Sequence, residues 1–239
     1  MNALKSVMAG GARSRGATAG KAHYTTGVAT VKDPLVWIDC EMTGLDLEHD
    51  ALIEVAVLVT DKDLNMLGEG VDVLIKPSSK QLASMSDFVR EMHTRSGLLD
   101  ALGDGTTMEE ATSTALGYIR EFVPTARKAP LAGNTIGTDR AFLARDMPEL
   151  EAYVHYRNVD VSSLKELARR WFPRVLYQAP EKQGNHRALA DIQESIEELR
   201  YYRDALFVAD PGPSTKEARQ IAARHQGSLT GLTSPRPAV

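Results

Sequence analysis

The chain has 239 residues, 43% hydrophobic and 25% charged, with a formal net charge of −4. That length supports a globular domain with its own core, and without a run of eighteen apolar residues there is no candidate membrane-spanning helix. The single cysteine, Cys40, excludes an internal disulfide and a thiolate zinc cluster and suits a reducing compartment. Charge is unevenly spread: residues 1–32 hold five basic residues and no acid, and residues 209–239 net +2, which leaves −11 on residues 33–208. An acidic body lacks the many Lys and Arg contacts that long nucleic acids need. Any nucleic acid it handles should be short, held by a few placed cations or by bound metal.

In chain order, residues 1–32 have no apolar period and are expected to be a disordered basic leader, with a faint likeness to a mitochondrial presequence. Leu35 to Asp39 predicts a buried strand, and Ala51 to Thr60, rich in Val and Ile, a central one. Gly70 to Lys76 predicts a third strand, stopped by Pro77, and the short polar turns between them predict an antiparallel meander. Helices then alternate with short strands. Thr107 and Glu110 form a capping box before Ala111, Ala115, Ile119 and Phe122. Pro130–Gly133 is a short strand, followed by a helix from about Thr138 that Pro148 ends. Asn158–Val161 is another short strand. Ser163 with Glu166 is expected to cap a helix whose inner face is Leu164, Leu167, Ala168 and Trp171, and a last helix runs from about Arg187 to Asp204. This order predicts an α/β ribonuclease-H-like fold with a mixed five-stranded sheet flanked by helices, spanning residues 33–208. Pro, Gly, Ser and Thr from residue 209 onward predict a mobile tail.

The chemistry-bearing residues are acids. Asp39 and Glu41 stand two apart at the end of the first strand, so they share a face, and adjacent carboxylates repel unless a cation lies between them. The pair alone also fits a solvated strand end. Asp139 opens a helix, where it is either an acid on the helix dipole or a third metal ligand. Asp191 sits in the last helix with small neighbours, Ala188 and Ser195, and His186 lies five residues before it on a loop that Gly184 makes mobile. Glu54 interrupts an apolar strand and is expected to be a strand-end or paired acid, the alternative being a group that stands behind the metal ligands. Taken together, a D-x-E pair, two further Asp and the His suit two-metal phosphodiester hydrolysis. Hard divalent cations take oxygen ligands, and an imidazole can deprotonate water near neutral pH. The four carboxylates are expected to converge without a Lys or Arg near them.

The stretch Trp37-Ile38-Asp39-Cys40-Glu41-Met42-Thr43-Gly44-Leu45 closely resembles the first motif of the oligoribonucleases, DEDDh exonucleases. So do Gly133 to Asp139, His155-Tyr156-Arg157, and Asp160 to Trp171. The resemblance covers about residues 34–208. It implies a 3′-to-5′ exoribonuclease that degrades oligonucleotides of about two to five residues to nucleoside 5′-monophosphates. Asp39, Glu41, Asp139 and Asp191 would hold two divalent ions, Mg²⁺ or Mn²⁺, with His186 as general base and Tyr156 in the active site. Leu45 would wedge between two bases. Met42, Gly44, Phe88, His93, Asn134, Thr135 and His155 would line the substrate site. Tyr156, Arg157, Ser162 and Lys165 would meet a 5′ phosphate, reaching in from the second subunit of a homodimer, and Arg157, Ser162 and Lys165 are expected to cluster on one strand-to-helix turn. The implied partners are short RNAs, above all 5′-phosphorylated dinucleotides, and a second copy of the chain in a homodimer, with no membrane and no long duplex nucleic acid. The implied location is cytoplasmic, or mitochondrial if residues 1–32 are a presequence. A different DEDDh exonuclease, of the DNA-proofreading or ribonuclease T type, is the alternative.

Overall fold

The computed structural model describes residues 31–181 and 187–226. The expected leader up to residue 30, His186, and the tail beyond Gln226 lie outside the described residues. Five strands form one sheet in the order β3-β2-β1-β4-β5: β1 Leu35–Met42, β2 Leu52–Thr60, β3 Met66–Leu74, β4 Pro130–Gly133 and β5 His155–Asp160. β1, β2 and β3 pair antiparallel as a meander, while β1–β4 and β4–β5 are parallel. The mixed five-stranded sheet expected from the element order is therefore present.

Alternation along β1 sorts its side chains between two cores. Val36, Ile38 and Cys40 point to one side and join α4 (Met108–Phe122), α5 (Ile136–Asp146) and α6 (Pro148–Tyr153). Trp37 points to the other, packed with Ala56, Leu58 and Ala132 against α7 (Val161–Trp171) and α9 (Ala188–Leu206). All nine residues of β2 are buried, as the Val- and Ile-rich run requires of a strand covered on both faces. Each Val, Leu and Ile among them contributes about 1.5–3 kcal/mol when fully buried. Trp37 buries its ring while its Nε1–H donates to Thr60 Oγ1 at 2.9 Å, so the indole costs no unpaired donor.

Several boundaries differ from the sequence expectation. β3 starts at Met66 and not at Gly70. Gly68 and Gly70 both take positive φ, which looks like turn chemistry in the sequence but here belongs to an irregular strand whose register with β2 shifts between Val57 and Val59. The helix expected from Thr138 begins at Ile136. The strand expected at Asn158–Val161 is His155–Asp160. The helix expected to be capped by Ser163 is capped one turn earlier by Asp160, whose carboxylate accepts from Ser162 N–H at 2.9 Å. Trp171, expected on the apolar face in the core or at a dimer interface, is exposed in the single chain.

Residues 79–104 hold three short helices that the sequence reading passed over: α1 Ser79–Ser84, α2 Asp87–Arg95 and α3 Leu98–Ala101. They carry few buried residues and cover Ile53 through a small cluster with Met85, Leu98 and Leu102. Their apolar stripe is too short to register as a period. α8 Pro173–Tyr177 follows α7. Beyond Pro211, where a mobile tail was expected, Thr215–His225 forms α10, capped by a Ser214–Glu217 box, with none of its residues buried. Among the described residues no helix is long and apolar enough to cross a membrane.

Candidate active site

Because Asp39 and Glu41 share the parity of Trp37, they project toward α9, and Asp191 in the first turn of α9 meets them. Carboxylate oxygens of Asp39, Glu41 and Asp191 lie within 4.8 Å of one another. Asp139 comes from α5 on the opposite face and is not part of that 4.8 Å group. Its Oδ1 accepts the backbone N–H of Cys40 at 3.0 Å, so the peptide between Asp39 and Glu41 fixes a fourth acid beside them.

Burial and mutual repulsion make these acids hard to ionise. Asp39 is held well above the usual carboxylate range by burial first, then by the charges of Asp139, Glu41 and Asp191. Glu41 is pushed up to about 8 by burial, then by Glu54, Asp191 and Asp139. Asp139 is pushed up to about 6 by burial, opposed by its backbone hydrogen bonds. The buried Cys40 thiol is also held well above its ordinary value, so the cluster offers hard oxygen donors and no thiolate. A divalent cation fits such a group, since its charge replaces the missing solvent and offsets the repulsion.

Charged and polar residues brace the cluster. Glu54 stands directly across the β1–β2 ladder from Glu41, is 0% exposed, and pairs with Arg187 at 3.1 Å. It is thus a paired acid, and its cation comes from within the His186–Asp191 stretch, where no nearby Lys or Arg was expected. His93, expected to line the substrate site, is fully buried on α2. Its Nε2–H donates to the Met42 carbonyl at 2.8 Å, and its Nδ1 stands 3.9 Å from Glu41 Oε2. It stands behind Glu41 as a support for the strand end.

A second network joins the ends of β4 and β5 to α9. Thr135, in the left-handed region at φ 54, donates its N–H to Asp160 Oδ1 and Ser162 Oγ, both at 3.0 Å. Ser162 Oγ donates to Asn134 Oδ1 at 3.0 Å. Asn134 Nδ2 donates to Ser195 Oγ at 2.8 Å and to Glu198 Oε2 at 3.2 Å. Ser195 in turn donates to the Asp191 carbonyl at 2.8 Å. Lys165 pairs with Glu198 at 3.0 Å. Sequence reasoning missed Glu198, Asp160 and Arg187. Glu198 lies seven residues after Asp191, on the same side of one helix, and that spacing was the available signal.

Two apolar side chains stand open near this end. Leu45, 74% exposed, follows the β1 end, and Phe88, 76% exposed, lies on α2 with His93. Gly44 has no room for a side chain, since a Cβ there would fall 2.2 Å from Asp50 Oδ2. That carboxylate closes the loop, accepting from Thr43 Oγ1 and from Asp46 N–H at 2.9 Å each.

The expected turn cluster of Arg157, Ser162 and Lys165 does not form within one chain. Tyr156 and Arg157 lie at the start of β5, and at about 3.3 Å per strand residue Tyr156 is about 13 Å along the strand from Asp160. His155 and Arg157 line a cleft with Asp33, Pro34 and Leu35 at the start of β1, whereas Thr135, Asp160 and Ser162 line one at the other end of the sheet. His155 and Tyr156 pack ring to ring at 4.4 Å, and the Arg157 guanidinium lies 5.5 Å from the Tyr156 ring centre.

Comparison with known proteins fits this arrangement. The family model described as exonuclease matches residues 36–199. A Cutibacterium acnes oligoribonuclease is 70% identical over 197 residues, covering 82% of this chain and 98% of that protein. The chain belongs to the oligoribonuclease family. Other oligoribonucleases, from Streptomyces coelicolor and Nocardia farcinica, are 63% and 58% identical, covering 82% and 84% of this chain and 98% and 94% of theirs. Membership in this exonuclease family makes the chain a nuclease. The fold is also similar to Escherichia coli exonuclease I solved with single-stranded DNA and zinc (TM-score 0.59, 13% identity, 73% of this chain) and to Methylocaldum szegediense exonuclease I (0.54, 19%, 72%). This chain spans about two fifths of those longer proteins, 41% in each case.

Proposed function

We propose that this chain is a 3′-to-5′ exoribonuclease that hydrolyses short oligoribonucleotides to nucleoside 5′-monophosphates, using two divalent metal ions, Mg²⁺ or Mn²⁺. The observation that carries the proposal is the convergence of Asp39, Glu41 and Asp191 within 4.8 Å, with Asp139 tied to the same strand. When bound, the cations supply Lewis-acid polarisation of the scissile phosphate and a neutral-pH nucleophile from water.

The chain's own groups do the rest. The four carboxylates bind and orient. His93 holds the Met42 carbonyl and so the strand end that carries Glu41. Leu45 and Phe88 offer apolar surface on which two bases can stack. His186, one residue before the Arg187 N-cap of α9, is the general base that takes the water's proton. Thr135, Ser162 and Lys165 offer hydroxyl and ammonium groups to phosphate at the same end.

Tyr156 and Arg157 lie at the far end of their own sheet, so they serve the site of a second subunit in a homodimer. β5 is a sheet edge, and Trp171, Phe172 and Tyr177 nearby in sequence are exposed, which favours coverage by another copy. Labelled RNAs of two to twenty nucleotides, with and without Mg²⁺, test the proposal. Stepwise 3′ loss of monophosphates, fastest on the shortest substrates and abolished by EDTA, is expected. Metal-independent turnover or equal rates on all lengths would refute it.

A further inference from the structure

Glu54 and Glu41 face each other across the β1–β2 ladder, an arrangement of like charges that destabilises a sheet. Glu54 is entirely buried, and burial pushes its carboxyl up to about 7, helped by Asp72 and opposed by Arg187. An acid kept there needs a reason. The residue it meets is Arg187, whose Nε lies 3.1 Å from Glu54 Oε1 and whose Nη2 lies 3.4 Å from Asp72 Oδ2 on β3. Arg187 is also the N-cap residue of α9, in extended conformation at φ −125, and its carbonyl accepts the Asp191 N–H at 3.0 Å. One residue thus grips two strands with its side chain and the backbone of a candidate metal ligand with its main chain. The planar, forked guanidinium suits such a two-strand grip better than an ammonium would.

We infer that the Glu54–Arg187 pair is a positioning device: it seats the N-terminus of α9 on β2 so that the Asp191 carboxylate meets those of Asp39 and Glu41 at cation-binding distance. Neither residue needs to touch metal or substrate. The inference rests on the metal-dependent chemistry proposed above.

A purely electrostatic role makes the opposite prediction, which permits a decisive test. If Arg187 served only as a positive charge beside the acids, its removal would tighten cation binding and removal of the Glu54 charge would weaken it. If the pair positions Asp191, both removals weaken binding. Groups behind metal ligands typically change metal affinity by about 10–100-fold. Mn²⁺ binding to the full chain is measured by electron paramagnetic resonance of the free ion, alongside kcat and KM. The set is wild type, Arg187→Met, Glu54→Gln, the double variant and Arg187→Lys. We expect each single removal to weaken Mn²⁺ binding about tenfold or more and to lower kcat with little change in KM. The double variant should be no worse than the poorer single, because the two act as one unit, and Arg187→Lys should restore part of the affinity. Melting curves establish that each variant is folded. If Arg187→Met does not fold, Arg187→Lys and Glu54→Gln carry the test, with weaker Mn²⁺ binding expected in both. Unchanged or tighter Mn²⁺ binding in the Arg187 variants, or losses that multiply in the double variant, would overturn the inference. Wild type that binds no Mn²⁺ would instead overturn the metal-dependent reading.

Discussion

The backbone N–H of Cys40 donates to Asp139 Oδ1 at 3.0 Å, so the strand carrying two of the acids also grips the third. Asparagine at 139 keeps an oxygen for that bond but loses the charge. Asp139→Asn and Asp191→Asn are each expected to lower the rate about 10³-fold, the scale of losing a main electrostatic stabiliser. Single-turnover assays on a dinucleotide check this. Turnover within a factor of ten of wild type would remove the residue from the metal site.

Acids that repel one another inside a fold make stability depend on pH. Glu41 is pushed up to about 8, far above its unfolded value. The folded state therefore holds its proton more tightly, and the stability this confers is fully present below the unfolded pKa and lost as pH rises through about 8. The metal-free protein is expected to melt at a lower temperature at pH 9 than at pH 6, and Glu41→Gln should flatten that slope. Saturating Mg²⁺ should shrink it too, with proton release on binding. Calorimetric titration in two buffers of different ionisation enthalpy reads that release. A metal-free melting temperature that climbs from pH 6 to 9 would contradict this account.

His186 is expected to set the acid limb of the rate profile. The wild-type rate should rise through about pH 6–7, the ordinary imidazole range, while His186→Asn should be slow and flatter with pH. Unchanged kinetics in that variant would exclude the histidine from proton transfer.

If the proposed homodimer completes each site with Arg157 of the other copy, length selectivity is expected to depend on the dimer, since Arg157 and Ser162 line clefts at opposite ends of their own sheet. Arg157→Ala should weaken 5′-phosphorylated dinucleotide binding by about 1.5–3 kcal/mol, the value of a charge-assisted contact, and leave twenty-mers little affected. A change that splits the dimer should do the same. Mixing the two impaired variants, Arg157→Ala and Asp191→Asn, should restore part of the dinucleotide activity, since some mixed dimers then hold one complete site. A split-proof length preference in monomeric protein would refute the shared site.

The sheet was legible because β1 and β2 are long apolar runs whose neighbours offered clear turns. The acids were legible because their spacing is dictated by strand parity and by a helix start. What stayed hidden depended on contacts between distant segments. Nothing in the neighbourhood of Glu54 announces that Arg187, 133 positions later, will neutralise it. Arg157 and Ser162 looked adjacent because they are five apart, yet an extended strand between them carries them to opposite ends of the sheet. α1 to α3 were missed because short helices with scattered apolar residues, two of them capped by serines, resemble loops until a tertiary surface sides with one of them.

β1 lies in the interior of the sheet, laddered to β2 on one side and β4 on the other. Amides in such core strands tend to exchange only when the domain opens globally, so Asp39 and Glu41 should ride on one of the slowest-exchanging segments. Asp191 instead arrives on a helix held to that sheet by side chains alone. A cation shared among the three would act as a clasp between a rigid element and a looser one. Its arrival should therefore slow exchange most in the first turns of α9 and scarcely at all in β1.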